Sequence, residues 1–137
     1  MTAFRPPPPE RLVIDGPAGA IEAVLEVPAG HDGRQCALVC HPHPLFGGTM
    51  DNKVVVITAR ALQERGMATL RFNFRGVAGS AGSWDQGRGE ADDAAAALAW
   101  LLARFPGAVL TVAGFSFGGY VAVQLAGRSA LRQLITI

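Results

Sequence analysis

Charge is scarce in this chain. Only 17% of its 137 residues are Asp, Glu, Lys or Arg, and the net charge is +1. The basic residues are dispersed, so the electrostatic footprint of a nucleic-acid or anionic-membrane binder is missing. No uninterrupted apolar run approaches transmembrane length. The opening Met1-Thr2-Ala3-Phe4-Arg5-Pro6 lacks the apolar core of a secretory signal. Cysteine is limited to Cys36 and Cys40, on one face of an apolar run. They read as core thiols, and with the missing signal they point to a cytoplasmic, reducing setting. The absence with the largest consequence is local: no histidine, aspartate or glutamate follows Ser116.

Half of the residues are apolar, normal for a soluble globule, and the length allows one domain over residues 1–137. Residues 1–10 form an extended Pro-rich lead-in. Leu12 to Ile14 and Ala20 to Val27 read as two antiparallel strands joined around Gly16-Pro17-Ala18-Gly19. Pro28 to Arg34 is a turn, with His31 a solvated loop residue. Gln35 to Cys40 is a buried strand. Asp51 is the expected cap of a helix from Asn52 to Arg65 closed by Gly66. Ala68 to Phe74 is the next strand, followed by a Gly/Ser/Asp loop to Gly89. A helix from Glu90 to Arg104 places Glu90, Asp92 and Asp93 at its positive end. Asp92 and Asp93 are adjacent on it and point in different directions, which argues against a carboxylate pair. Leu131 to Ile137 begins another strand. Strands alternating with helices argue a mostly parallel α/β sheet with helices on both faces.

The chemistry centres on Gly114-Phe115-Ser116-Phe117-Gly118, a G-x-S-x-G pattern. Val109 to Ala113 before it is a β-rich run, and Gly118 to Ala126 after it reads as a helix ended by Gly127. Reversing the chain between them strains Ser116 and crowds the residues two before and two after it. Glycine at 114 and 118 relieves that crowding. The turn would hold the Ser116 hydroxyl at the positive end of the helix, as a nucleophile needs. Ala78-Gly79-Ser80-Ala81-Gly82 nearly repeats the pattern. No helix follows it, so it reads as loop.

Acyl transfer needs two backbone N–H groups aimed at the developing oxyanion. One is expected from Phe117, directly after the nucleophile. The other is expected from His41-Pro42-His43-Pro44-Leu45-Phe46-Gly47-Gly48, a loop after an earlier strand. Pro42 and Pro44 have no N–H. His43 is therefore the leading donor and Leu45 the second choice. His41 and His43 at i, i+2 also invite a metal reading, but no further ligands follow at a familiar spacing, and no metal site is expected.

Three segments together carry a family resemblance: His41 to Val54, Arg71-Phe72-Asn73-Phe74-Arg75-Gly76, and the Ser116 turn. The chain resembles the α/β-hydrolase superfamily, specifically a small bacterial serine-hydrolase group with an H-P-H-P-x-x-G-G oxyanion loop. Ala78 departs from that pattern, standing where a glycine is expected. The resemblance implies an α/β-hydrolase-like sheet, incomplete at its C-terminal side. It implies hydrolysis of an ester or related small acyl substrate through an acyl-enzyme, with no cofactor. The family order is nucleophile, acid, histidine, so both later members are expected beyond Ile137. On this reading the chain is a truncated hydrolase with impaired turnover, and its uncovered last strand invites self-association. Two alternatives stand beside it: a non-catalytic module or fragment needing a complementary chain, and a dinucleotide-binding protein built on the loop after Phe74. The second lacks a well-formed G-x-G-x-x-G leading into a helix.

Overall fold

The computed structural model describes residues 3–137. Residues 3–9 have no regular secondary structure, and Met1 and Thr2 of the Pro-rich lead-in lie outside the described residues. The chain then runs β1 (Glu10–Gly16), β2 (Gly19–Glu26), β3 (Gln35–Cys40), α1 (Lys53–Glu64), β4 (Ala68–Phe72), α2 (Arg88–Arg104), β5 (Val109–Gly114), α3 (Phe117–Ala126) and β6 (Gln133–Thr136). All six strands form one sheet in the order β1-β2-β4-β3-β5-β6. The β1/β2 and β2/β4 pairs are antiparallel, while β4, β3, β5 and β6 are mutually parallel.

Period-2 alternation explains why the central strands read as continuous apolar runs. Along β3, Ala37 and Val39 face α1 and pack with Val55, Ala59 and Leu62. Cys36, Leu38 and Cys40 face the opposite side, where α2 and α3 supply Ala94, Leu98, Leu101 and Val121. Both faces are covered, so neither alternation class is polar. Phe72 and Phe74 are wholly buried there, each worth on the order of 2 kcal/mol of burial. Cys36 and Cys40 are free and buried. Burial pushes their thiols up to about 11 and about 12, so neither is a reactive thiolate. Among the described residues no helix is long and apolar enough to cross a membrane.

Several boundaries differ from the expected ones. The cap of α1 is Asn52, whose Oδ1 accepts from the Val54 and Val55 N–H groups, not Asp51. Asp51 is drawn away by Arg71 on β4, 3.1 Å from its carboxylate. Helix α2 begins at Arg88, because the Glu90 carboxylate reaches back to the N–H groups of Gly87 and Asp85, both at 2.9 Å. Only Glu90 serves that helix end. Asp93 is buried against Arg75, and Asp92 pairs with Arg128 at the surface. Strand β4 stops at Phe72 and β6 is limited to Gln133–Thr136. His31 is half-buried rather than solvated. Its Nε2 lies 2.7 Å from Gln35 O and its ring packs edge-on against Phe105. Ala78 holds a left-handed φ of 45°, which accounts for the glycine expected there.

Candidate active site

The turn between β5 and α3 leaves Ser116 at φ 55°, ψ −117°, a region that costs a non-glycine residue about 1–3 kcal/mol. Its neighbours hold it there. The Ser116 N–H donates to Ile137 O at 2.7 Å, Phe115 N–H to Cys40 O at 3.1 Å, and Gly119 N–H to Ser116 O at 2.8 Å. The two flanking glycines are steric necessities. A Cβ on Gly114 would overlap Gly118 O, and one on Gly118 would overlap Cys40 O and lie 2.6 Å from His41 O. Ser116 itself is exposed. Helix α3 starts at Phe117, one residue earlier than expected, so the hydroxyl sits at its positive end.

Strand β3 delivers the second loop to the same place. His41 is wholly buried, and its Nε2 accepts the Phe74 N–H at 3.1 Å. That bond assigns the proton to Nδ1, which donates to Pro42 O at 2.6 Å. With both ring nitrogens engaged, His41 has no lone pair for a metal or for a serine proton. Desolvation pulls its pKa down to about 4, against a smaller opposing effect of the Pro42 bond. Its folded value lies below its ordinary 6.5, so the neutral ring stabilises the fold fully above pH 6.5, and this is lost as pH falls toward 4. The contribution is on the order of 3 kcal/mol. Thermal unfolding is expected to show a falling melting temperature across that window, and His41→Gln is expected to flatten that segment.

Beyond His41 the loop makes a single 3-10 turn, Pro44–Phe46, closed by Phe46 and Gly48 N–H bonds to His43 O. The Leu45 N–H donates to His43 Nδ1 at 3.1 Å, so the second-choice donor is already engaged. The N–H groups of His43 and Phe117 bond to none of the described residues. The two residues meet, their ring centroids 5.1 Å apart, and Trp84 and Phe46 complete an aromatic wall at 4.5 and 4.7 Å from the His43 ring. Leu45 and Phe46 are largely exposed at its rim. Sequence reasoning missed Trp84, because nothing local links it to His43, and it quoted Phe46 only as part of the loop motif. A separate cavity of about 690 Å³, lined by Gln35, Leu62, Arg65, Val109 and Gln133, opens at the opposite ends of the strands.

Residues 43–136 match the family model for the alpha/beta hydrolase fold. The chain belongs to the α/β-hydrolase family. Similar solved α/β-hydrolases include XC6422 from Xanthomonas campestris, described as an a/b serine hydrolase without lid. It is 42% identical with a TM-score of 0.88, over 98% of this chain and 63% of that one. An alpha-beta serine hydrolase homologue from Coxiella burnetii is 41% identical with a TM-score of 0.89, over 99% of this chain and 64% of that one. An uncharacterized protein of Rickettsia prowazekii (strain Madrid E), RP471, is 45% identical over 119 residues, covering 86% of this chain and 50% of that protein. This α/β-hydrolase chain thus spans half the length of that curated relative and under two thirds of those solved structures.

Proposed function

We propose that Ser116 is the nucleophile of an acyl-transfer reaction on an ester or related acyl substrate. The oxyanion is held by the N–H groups of Phe117 and His43, and water releases the acyl-enzyme. The observation that carries this reading is an exposed serine locked at φ 55°, with the backbone N–H groups of Phe117 and of His43, whose rings meet, both left without a partner among the described residues. His43 is preferred over Leu45 because the Leu45 N–H is taken by the His43 ring. The aromatic wall of Trp84, Phe46 and Phe117 offers an apolar surface to the acyl or alcohol part of such a substrate. A dinucleotide is disfavoured because the Glu90 carboxylate already occupies the N–H groups at the start of α2.

The serine proton needs a base that this chain does not place. His41 has both nitrogens engaged, the His43 Nδ1 accepts from Leu45, and His31 lies against Phe105 and Gln35. Turnover by this chain alone is therefore low, since loss of a triad histidine costs orders of magnitude. The engagement of all three histidines in other bonds favours a second reading, a non-catalytic module. A fluorophosphonate probe at high concentration separates them: the oxyanion donors alone are expected to drive slow labelling of the peptide carrying Ser116, faster than at the other serines of the chain and lost in Ser116→Ala. A folded wild-type chain that takes no label would favour the module.

A further inference from the structure

The loop from His41 to Met50 carries the proposed oxyanion donor, yet both its ends are held by one short stretch of chain. At the start, the Phe74 N–H donates to His41 Nε2 at 3.1 Å. At the far end, the Met50 N–H donates to Asn73 Oδ1 at 2.8 Å, and Arg71 Nη1 donates to Met50 O at 2.6 Å. The flanking peptide groups of Met50 are thus gripped on both sides by residues 71 and 73. Asn73 is only 1% exposed, and its Nδ2 donates to Glu22 Oε1 at 2.6 Å. An ionised carboxylate accepts only, so Glu22 dictates which end of the amide faces it, and the oxygen is turned toward Met50.

A further layer braces Asn73. Ser80 Oγ donates to Asn73 O at 2.6 Å and accepts the Glu22 N–H at 2.9 Å, while the Gly79 N–H reaches Glu22 Oε1 at 3.3 Å. The Ala78–Gly82 near-copy of the nucleophile motif therefore has a role of its own. Its serine is buried and ties the backbone of Asn73 to that of Glu22 rather than attacking anything.

We propose that Asn73 is a positioning residue, whose amide, oriented by Glu22, fixes the far end of the 41–50 loop and thereby aims the His43 N–H. The proposal rests on the oxyanion reading of His43. Removing the amide oxygen leaves the Met50 N–H without its partner and frees the loop end. A donor misplaced by about 1 Å costs on the order of a hundredfold in rate.

The test compares the wild-type chain with Asn73→Ala, with the swapped pair Asn73→Asp/Glu22→Gln, and with Thr69→Val as a control. Thr69→Val breaks a buried bond to Gln63 away from the loop. Hydrogen exchange of the 42–50 segment, the rate of fluorophosphonate adduct formation at Ser116 and melting temperature are measured for each. Asn73→Ala is expected to speed loop exchange about tenfold or more and to slow labelling about tenfold to a hundredfold. Thr69→Val is expected to do neither at a comparable melting temperature, and the swapped pair to restore both.

Loop exchange in Asn73→Ala no faster than in Thr69→Val overturns the proposal. So does a loop that opens while labelling keeps its wild-type rate. If Asn73→Ala does not fold, Asn73→Asp alone, which sets two carboxylates together, is compared with the swapped pair, and equal loop exchange in the two overturns it. A wild-type serine that takes no label sinks the nucleophile reading instead, and loop exchange still decides whether Asn73 holds the loop.

Discussion

Gly118→Ala is expected to lower stability by on the order of 4 kcal/mol and to abolish labelling of Ser116. The added methyl would overlap the carbonyl oxygen of Cys40 and sit 2.6 Å from that of His41. Both are backbone atoms, at the end of β3 and the start of the oxyanion loop, so no side chain can rotate away to make room. Overpacking usually costs about 1–3 kcal/mol, and values above that arise where the surroundings cannot yield. The only relief is to push α3 off β3, which carries Ser116 away from the His43 loop. Gly127→Ala is the matched control. A Cβ there first meets Gln124 O at 3.5 Å, and φ is −77°, so it is expected to be neutral or to stabilise by up to about 1 kcal/mol. Equal urea-unfolding midpoints for the two variants would show that the close approach of α3 to β3 is not needed.

The second large effect is expected at Asp93. Its carboxylate takes three bonds from Arg75: the backbone N–H at 2.9 Å, Nε at 3.1 Å and Nη2 at 2.9 Å. The Asp93 side chain is 1% exposed and that of Arg75 13%. The hydrogen bond to Asp93, more than the opposing desolvation, raises the Arg75 pKa further. Asp93→Ala leaves a nearly buried guanidinium without its main partner, at a cost of about 3–5 kcal/mol. Asp85, 4.0 Å from Nη1 and more than half exposed, is too distant to replace it. The melting temperature is expected to fall by roughly 10 °C or more. Asp92→Ala, one residue earlier, removes only an ion pair with both side chains about half exposed and is expected to cost under about 1 kcal/mol. Similar losses at the two positions would contradict the assignment of Asp93 as the anchor of Arg75.

That contrast between neighbouring aspartates shows where sequence reading stops. The nucleophile turn is legible because its demands are local: a strand, a strained serine and two positions without Cβ, all within a few residues. The parallel sheet is legible because the central strands, apolar on both faces, alternate with helices. Which acid anchors an arginine is not local. Asp51 and Asn52 are equally good caps by type, and the choice between them is made by Arg71, which lies on β4 and takes Asp51. The wall around His43 has the same origin, since Trp84 and Phe117 come from separate segments. The polar residues of Arg71-Phe72-Asn73-Phe74-Arg75 alternate with phenylalanines, a visible signal that they serve something other than the core. What they serve emerges only when Met50, Glu22 and Asp93 arrive beside them.

The Ser116 N–H donates to Ile137 O, and the Ile137 N–H donates to Gly114 O at 3.0 Å. The residue just past β6 therefore closes a ring of two hydrogen bonds across the nucleophile turn. Thermodynamic linkage is reciprocal. If docking of β6 against β5 favours the left-handed serine, then an adduct on that serine that favours the same geometry must tighten β6 in return. Whatever coupling those two bonds carry acts equally in both directions, from the edge strand to the serine and back.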